Sequence, residues 1–264
     1  MKCFIIFLLQ TFLSVIVFTQ EIVCQKQDFI GHLQGIAADK TGIYWSFYDT
    51  VVKTDYSGKI TASATVPIHA GDLCVKDGKI YLSVVYYTPA DIQKDGGSGW
   101  VYVYDQALQF KRKIALPNTP RPDGITCTAD RFYVAGDDFG KELHSINTIS
   151  VYSADWKFQE KIRVDIGFPT AYGAQTLNIV GNRMLAAFYA KGKGTHWLSL
   201  PDLKQMEPIP FSASVGFAVL PPEIAKGREL YLLAKSTGSR KEKKFGGKAL
   251  IYENRNGTIT PAEL

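Results

Sequence analysis

Cysteine is scarce in this chain: four in 264 residues, with no two in a Cys-x-x-Cys spacing. Cys3 falls in the apolar N-terminal stretch, which leaves Cys24, Cys74 and Cys127, an odd number. A disulfide framework and a thiolate zinc site are both disfavoured, and Cys74 and Cys127 read as small buried hydrophobes. Long apolar runs are missing beyond the first twenty residues, so nothing further along reads as a membrane-spanning helix. A strong charge of one sign is missing too. The formal net charge is +5, and much of the excess sits in the segment 235–248, which is not the pattern of a nucleic-acid binder. There is no Gly-x-Ser-x-Gly elbow and no readable Cys–His pairing, so nucleophilic catalysis has no motif. No linker or shift in composition divides the chain.

What is present begins with a short basic start, Met1-Lys2, and an almost wholly apolar stretch from Cys3 to Phe18. The change to Thr19-Gln20-Glu21 is abrupt, and no basic stop-transfer cluster follows. This is the three-part form of a secretory signal peptide. Residues 1–20 are expected to be that signal, with Val17 and Thr19 favouring a cut before Gln20 and 24 as the outer limit. Ile22-Val23-Cys24 lacks the small residues of a bacterial lipoprotein site. Residues 25–264 are then expected to form a single domain, secreted or periplasmic, monomeric, and without a transmembrane anchor.

The remaining chain carries one motif five times. His32-Leu33-Gln34-Gly35-Ile36 leads, after a turn, into Ile43-Tyr44-Trp45. His69-Ala70-Gly71-Asp72-Leu73 leads into Ile80-Tyr81-Leu82, and Arg121-Pro122-Asp123-Gly124-Ile125 into Phe132-Tyr133-Val134. Tyr172-Gly173-Ala174-Gln175-Thr176 leads into Met184-Leu185-Ala186. A degenerate fifth copy runs from Val215-Gly216-Phe217 into Leu230-Tyr231-Leu232. Each copy has a polar or glycine lead-in, a short apolar strand, a tight turn such as Asp77-Gly78 or Gly181-Asn182, and a second strand rich in aromatic and β-branched residues. Two more strand candidates follow each pair. A four-stranded antiparallel unit recurring about every 40 to 50 residues is a propeller blade. The expected fold is therefore all-β, a β-propeller of five four-stranded blades. The aromatic residues Tyr44, Trp45, Tyr81, Phe132 and Tyr133 are expected to pack between blades. Either Gln27–Ile30 or Thr258–Thr260 supplies the outermost strand of the closing blade.

Equivalent positions of a repeat occupy equivalent positions around the axis. The lead-ins to the innermost strands therefore gather at one mouth of the central channel, and they are polar. His32, Gln34, Arg121 and Gln175 are candidate substrate-binding residues, and His69, Asp72 and Asp123 are candidate catalytic residues. His69 beside Asp72 suits a general base, and Asp72 with Asp123 a carboxylate pair. The two histidines with carboxylates also suit a zinc or manganese ion, and the carboxylates with amides suit calcium, so a divalent metal stays open. The longer loops, 87–99, 136–147 and 235–247, emerge on the same face, where binding commonly resides. Tyr48, Tyr87 and Trp100 lie near them and suit ring stacking. The run Ser239–Lys244 reads as a solvated hairpin tip.

The repeat form resembles the broad superfamily of NHL-type and gluconolactonase-like propellers over nearly the whole chain after the signal. It is also similar to the five-bladed glutaminyl cyclases of plants and bacteria. Their opening Gln-Gly-hydrophobic motif looks like Gln34-Gly35-Ile36. Their second blade carries Gly-Glu-Gly-Leu with a catalytic acid, where this chain has Ala70-Gly71-Asp72-Leu73, an acid displaced by one position. Their third lead-in bears a tryptophan where this chain has Asp123. Three functions follow as expectations. One is a hydrolase or lyase acting on a small polar or sugar-like substrate, with glutaminyl-cyclase-like cyclotransfer as a variant. The others are a ligand-binding propeller without turnover and a protein-interaction scaffold using the loops.

Overall fold

The computed structural model describes residues 20–67, 69–136, 142–189 and 194–264. The expected signal peptide, Gln20 apart, and residues 137–141 of the third-blade loop lie outside the described residues.

Alternation of apolar and polar residues, with Gly-containing turns between, folds the chain into consecutive antiparallel strands. Strand β1 (Glu21–Val23) precedes the first blade, which is β2 (Leu33–Asp39), β3 (Gly42–Phe47), β4 (Thr50–Thr54) and β5 (Ile60–Thr65). The second blade is β6 (Ala70–Lys76), β7 (Lys79–Val85), β8 (Gly99–Asp105) and β9 (Phe110–Ala115). The third opens with β10 (Pro122–Cys127), β11 (Arg131–Gly136) and β12 (His144–Ser153). The long β13 (Phe158–Val180) serves two blades: its first half pairs with β12, and from Ala171 it pairs with β14 (Arg183–Tyr189). β15 (Thr195–Ser199) and β16 (Gln205–Pro208) complete the fourth blade. The fifth is β17 (Phe217–Val219), β18 (Leu230–Ser239) and β19 (Lys244–Arg255). The innermost strands β2, β6, β10, β13 and β17 neighbour one another in cyclic order, and β17 returns to β2.

Both candidate segments help to close the ring, with a third piece ahead of them. β20 (Thr258–Pro261) pairs with the later part of β19, β1 pairs with Lys248–Leu250, and Phe29 bridges Phe245. Among the described residues the sheet thus includes Glu21–Val23, ahead of residue 25. Ile22 and Cys24 are buried in it.

Strand periodicity explains the core. Alternate residues of each middle strand point to opposite neighbours. Ile43 and Trp45 pack towards the fifth blade, while Tyr44 packs towards the second. Tyr81 meets Phe132 of the third blade at 4.7 Å between ring centroids. Met184, Ala186 and Phe188 face the third blade, and Leu185 and Ala187 the fifth. Each of the five interblade spaces is filled by one apolar cluster. Full burial of one such side chain stabilises by about 1.5–3 kcal/mol. Trp45 keeps its polar edge satisfied by donating from Nε1 to Thr54 Oγ1 at 2.9 Å. Cys74 and Cys127 sit on the adjoining inner strands β6 and β10 as free thiols, Cys74 buried and Cys127 half-buried.

Two of the expected loops are more regular than loops. The segment 87–99 contains the short helix α1 (Pro89–Asp95): Thr88 caps it by accepting from the Asp91 amide at 3.1 Å, Pro89 opens it, and Gly96 ends it at φ 74°. The segment 235–247 is the end of a long hairpin, with β18 and β19 paired as far as Ser239 and Lys244.

Candidate functional site

Four of the five innermost strands break their register where they begin. The shifts fall between Leu33 and Gly35, Ala70 and Leu73, Pro122 and Ile125, and around Ala174 and Thr176. A bulge re-aims side chains, and these bulges hold Gln34, Asp72, Asp123 and Gln175. Glycine makes the crowding possible. A Cβ on Gly35 would stand 2.5 Å from Asp72 Oδ1, and one on Gly71 would stand 2.9 Å from Asp123 Oδ1.

Above the bulges lies a cavity of about 800 Å³, lined by His32, Gln34, His69, Arg121, Asp123 and Gln175. Six of the seven residues expected at the channel mouth are therefore there. Its remaining lining is Tyr87, Ala171, Tyr172, Tyr189 and Arg240. Gln34 is buried, and its Nε2 lies 3.1 Å from His69 Nε2. The contact engages one ring nitrogen of His69, while its Nδ1 is buried without a hydrogen-bond partner among the described residues. Gln175, also buried, donates from Nε2 to Asp123 Oδ2 at 2.9 Å and to the Tyr172 carbonyl at 3.1 Å. These two buried amides fix the orientation of the two more accessible groups.

His69 stands between the edges of Tyr48 and Tyr87, at 4.9 and 5.3 Å between centroids. Burial, and then the nearby His32, pull its pKa down to about 4. Burial, and then the Arg240 guanidinium, lower that of His32 as well. Both rings are neutral at neutral pH and act as hydrogen-bonding surfaces.

Asp72 departs from expectation. It is fully buried inside the channel and is not part of the cavity lining. Its Oδ2 accepts from the Leu177 amide at 3.1 Å and the Ile125 amide at 3.5 Å, tying the inner strands of the second, third and fourth blades together. Burial, only partly opposed by these hydrogen bonds, raises its pKa well above the usual carboxylate range. The pairing of Asp72 with His69 as acid and base therefore has no counterpart at the mouth. Among the described residues no three His, Cys, Asp or Glu side chains gather as a metal would require.

Two further placements differ from the sequence reading. Trp100 is buried in the second blade, donating to the Gly97 carbonyl at 3.0 Å, with the Lys113 ammonium 4.5 Å from its ring centroid. The tip 239–244, read as merely solvated, delivers Arg240 to the cavity. Tyr189 and Arg240 had no repeat signature of their own. The signal for Tyr189 was its place at the end of a second strand, where the first and second blades put Tyr48 and Tyr87.

No family model matches this chain, and no curated protein matches it by sequence. Solved structures do resemble it. Glutaminyl cyclase from Myxococcus xanthus aligns over 93% of this chain and 98% of its own, with a TM-score of 0.60 and 11% identity. Hydrazine synthase from Kuenenia stuttgartiensis aligns over 90% of this chain and 68% of its own, at TM-score 0.46 and 17% identity. A protein of unknown function from Bacteroides caccae aligns over 73% of each chain, at TM-score 0.46 and 9% identity. The first likeness, which spans nearly the whole of both chains, supports the propeller fold for this protein and says nothing of its chemistry.

Proposed function

We propose that the protein binds a small polar, carbohydrate-like molecule in the central cavity and that Asp123 is the group there able to perform acid–base work of a hydrolase or lyase type. The observation that carries this reading is the convergence of polar side chains from separate blades on one cavity walled by Tyr87, Tyr172 and Tyr189. A sugar presents apolar C–H faces and a rim of hydroxyl groups. Tyrosine rings suit the former, and Gln34, His69, Asp123 and Gln175 suit the latter. His32, Gln34, Arg121 and Gln175 act as binding groups. His69, neutral and oriented by Gln34, acts as a hydrogen-bond partner rather than as a charge. Export through the apolar N-terminal stretch, and the kinship to NHL-type and gluconolactonase-like propellers, belong to the same reading.

Calorimetric titration of the protein with a panel of neutral and acidic monosaccharides tests it. Asp123→Asn and Tyr87→Ala are expected to weaken binding by about 2–3 kcal/mol and about 1–2 kcal/mol, the former being the scale of a hydrogen bond to a charged group. Neither should shift the thermal midpoint much, because both groups face the cavity. Undiminished binding in both variants would remove the cavity from consideration. Glutaminyl cyclisation, the activity named for the protein of similar fold, is the variant to assay alongside. Ammonia release from a peptide with N-terminal glutamine would put cyclotransfer in place of sugar chemistry.

A further inference from the structure

The charge balance of the cavity says more about its ligand than its shape does. Two guanidinium groups reach it from blades that are not neighbours. Arg121 stands just ahead of β10 in the third blade, and Arg240 stands at the turn between β18 and β19 in the fifth. Among the described residues neither is paired with a carboxylate, whereas Arg183 lies 3.1 Å from Glu207 and Arg255 lies 2.8 Å from Glu253 on the outside of the molecule. Both arginines are exposed, yet each acts on groups of the cavity wall: Arg240 on His32 and Tyr189, Arg121 on Tyr87. Among the described residues the lining holds one carboxylate, Asp123, whose Oδ2 accepts from the neutral Gln175 amide. The described lining therefore carries a net positive charge beside tyrosine rings, where the dielectric is lower than in open water and charge–charge attraction is stronger.

We infer that the ligand of this cavity is an anion, a ring-bearing acid of the hexuronate kind whose carboxylate sits between Arg121 and Arg240. The inference rests on the small-ligand reading above and narrows it. A planar guanidinium fork matches a carboxylate with two parallel N–H···O bonds, which a neutral hydroxyl cannot return. The ring of the acid lies against Tyr87 and Tyr189, and its hydroxyl groups meet Gln34, His69 and Gln175. The β18–β19 hairpin stays paired as far as Ser239 and Lys244, and the turn that closes it carries Arg240 to the cavity. That gives a binding purpose to the residue that the repeat pattern leaves unexplained.

Glucuronate and its methyl ester differ in the charge while keeping the ring, so they separate this inference from the reading beneath it. Calorimetric titration of the intact protein is expected to show glucuronate binding at least about tenfold more tightly than the ester, the scale of a charge-assisted bond. Arg121→Gln and Arg240→Gln should each reduce glucuronate affinity about tenfold and ester affinity by a clearly smaller factor. Arg240→Lys, which keeps the charge and loses the fork, should fall between. The two arginines lie on different blades, so each variant is judged alone, with its thermal midpoint as the control for folding. Equal affinity for acid and ester, or equal losses for both in the arginine variants, would overturn the anionic ligand and leave the cavity as a neutral-sugar site. Absence of binding by either compound to the unaltered protein would overturn this inference and the sugar reading together.

Discussion

Asp72 shows how one carboxyl can tie a ring together without facing its central cavity. Its Oδ2 gathers amides of the third and fourth blades, and a Cβ on Gly35 of the first blade would stand 2.5 Å from its other oxygen. In the unfolded chain such a group ionises near pH 4. In the folded protein burial raises its pKa, so the native state keeps a proton that the unfolded state has lost. The stability this group supports is therefore complete below about pH 4 and declines as pH rises towards the native pKa, by at most about 1.4 kcal/mol per pH unit. Asp72→Asn removes the titration while keeping an oxygen for the Leu177 amide. Urea unfolding at a series of pH values should show the variant gaining on the unaltered protein between pH 4 and 7. A difference that stays constant with pH would contradict the protonated, buried carboxyl. Asp72→Ala leaves two inner-strand amides without their partner and should cost about 2–3 kcal/mol. The sequence placed Asp72 correctly in the repeat and could not place its side chain. The register shift between Ala70 and Leu73 turns it inward, and a bulge has no local signature beyond the adjacent Gly71.

At the scale of elements, the blades were legible because their strands alternate and their turns use Asp-Gly and Gly-Asn pairs. What was hidden is where strands continue past their blade. β13 spans two blades without a break, and β18 and β19 extend as a hairpin through a stretch whose charges read as a loop. Charge in a sequence reports solvation but not reach, which is why Arg240 escaped notice. The opening strand β1 was hidden for another reason: in the sequence it directly follows the apolar stretch read as a signal. Its Ile22 is buried in the space between the fifth and first blades, and the Gln20 amide donates to the Ala262 carbonyl at 3.2 Å. Ile22→Ala should therefore lower stability by about 2–4 kcal/mol, the range for truncating a buried aliphatic side chain. A loss of unfolding free energy smaller than about 0.5 kcal/mol would mean that β1 is dispensable to the closing blade.

For the whole molecule, fold and site have the same origin. Five blades of one pattern must stack face to face to bury both sides, and stacking places their inner-strand lead-ins around one axis. The cavity is thus a consequence of the repeat, and its chemistry comes from how the copies differ: histidine and glutamine in the first, histidine in the second, arginine and aspartate in the third, glutamine in the fourth. That asymmetry favours one ligand at the centre over one per blade. Crystals soaked with glucuronate and with neutral hexoses test this most directly. Ligand density is expected between Tyr87, Tyr189 and Asp123. Density confined to the outer groove beside Arg183, Trp197 and Glu207, with the central cavity holding no ligand, would contradict it.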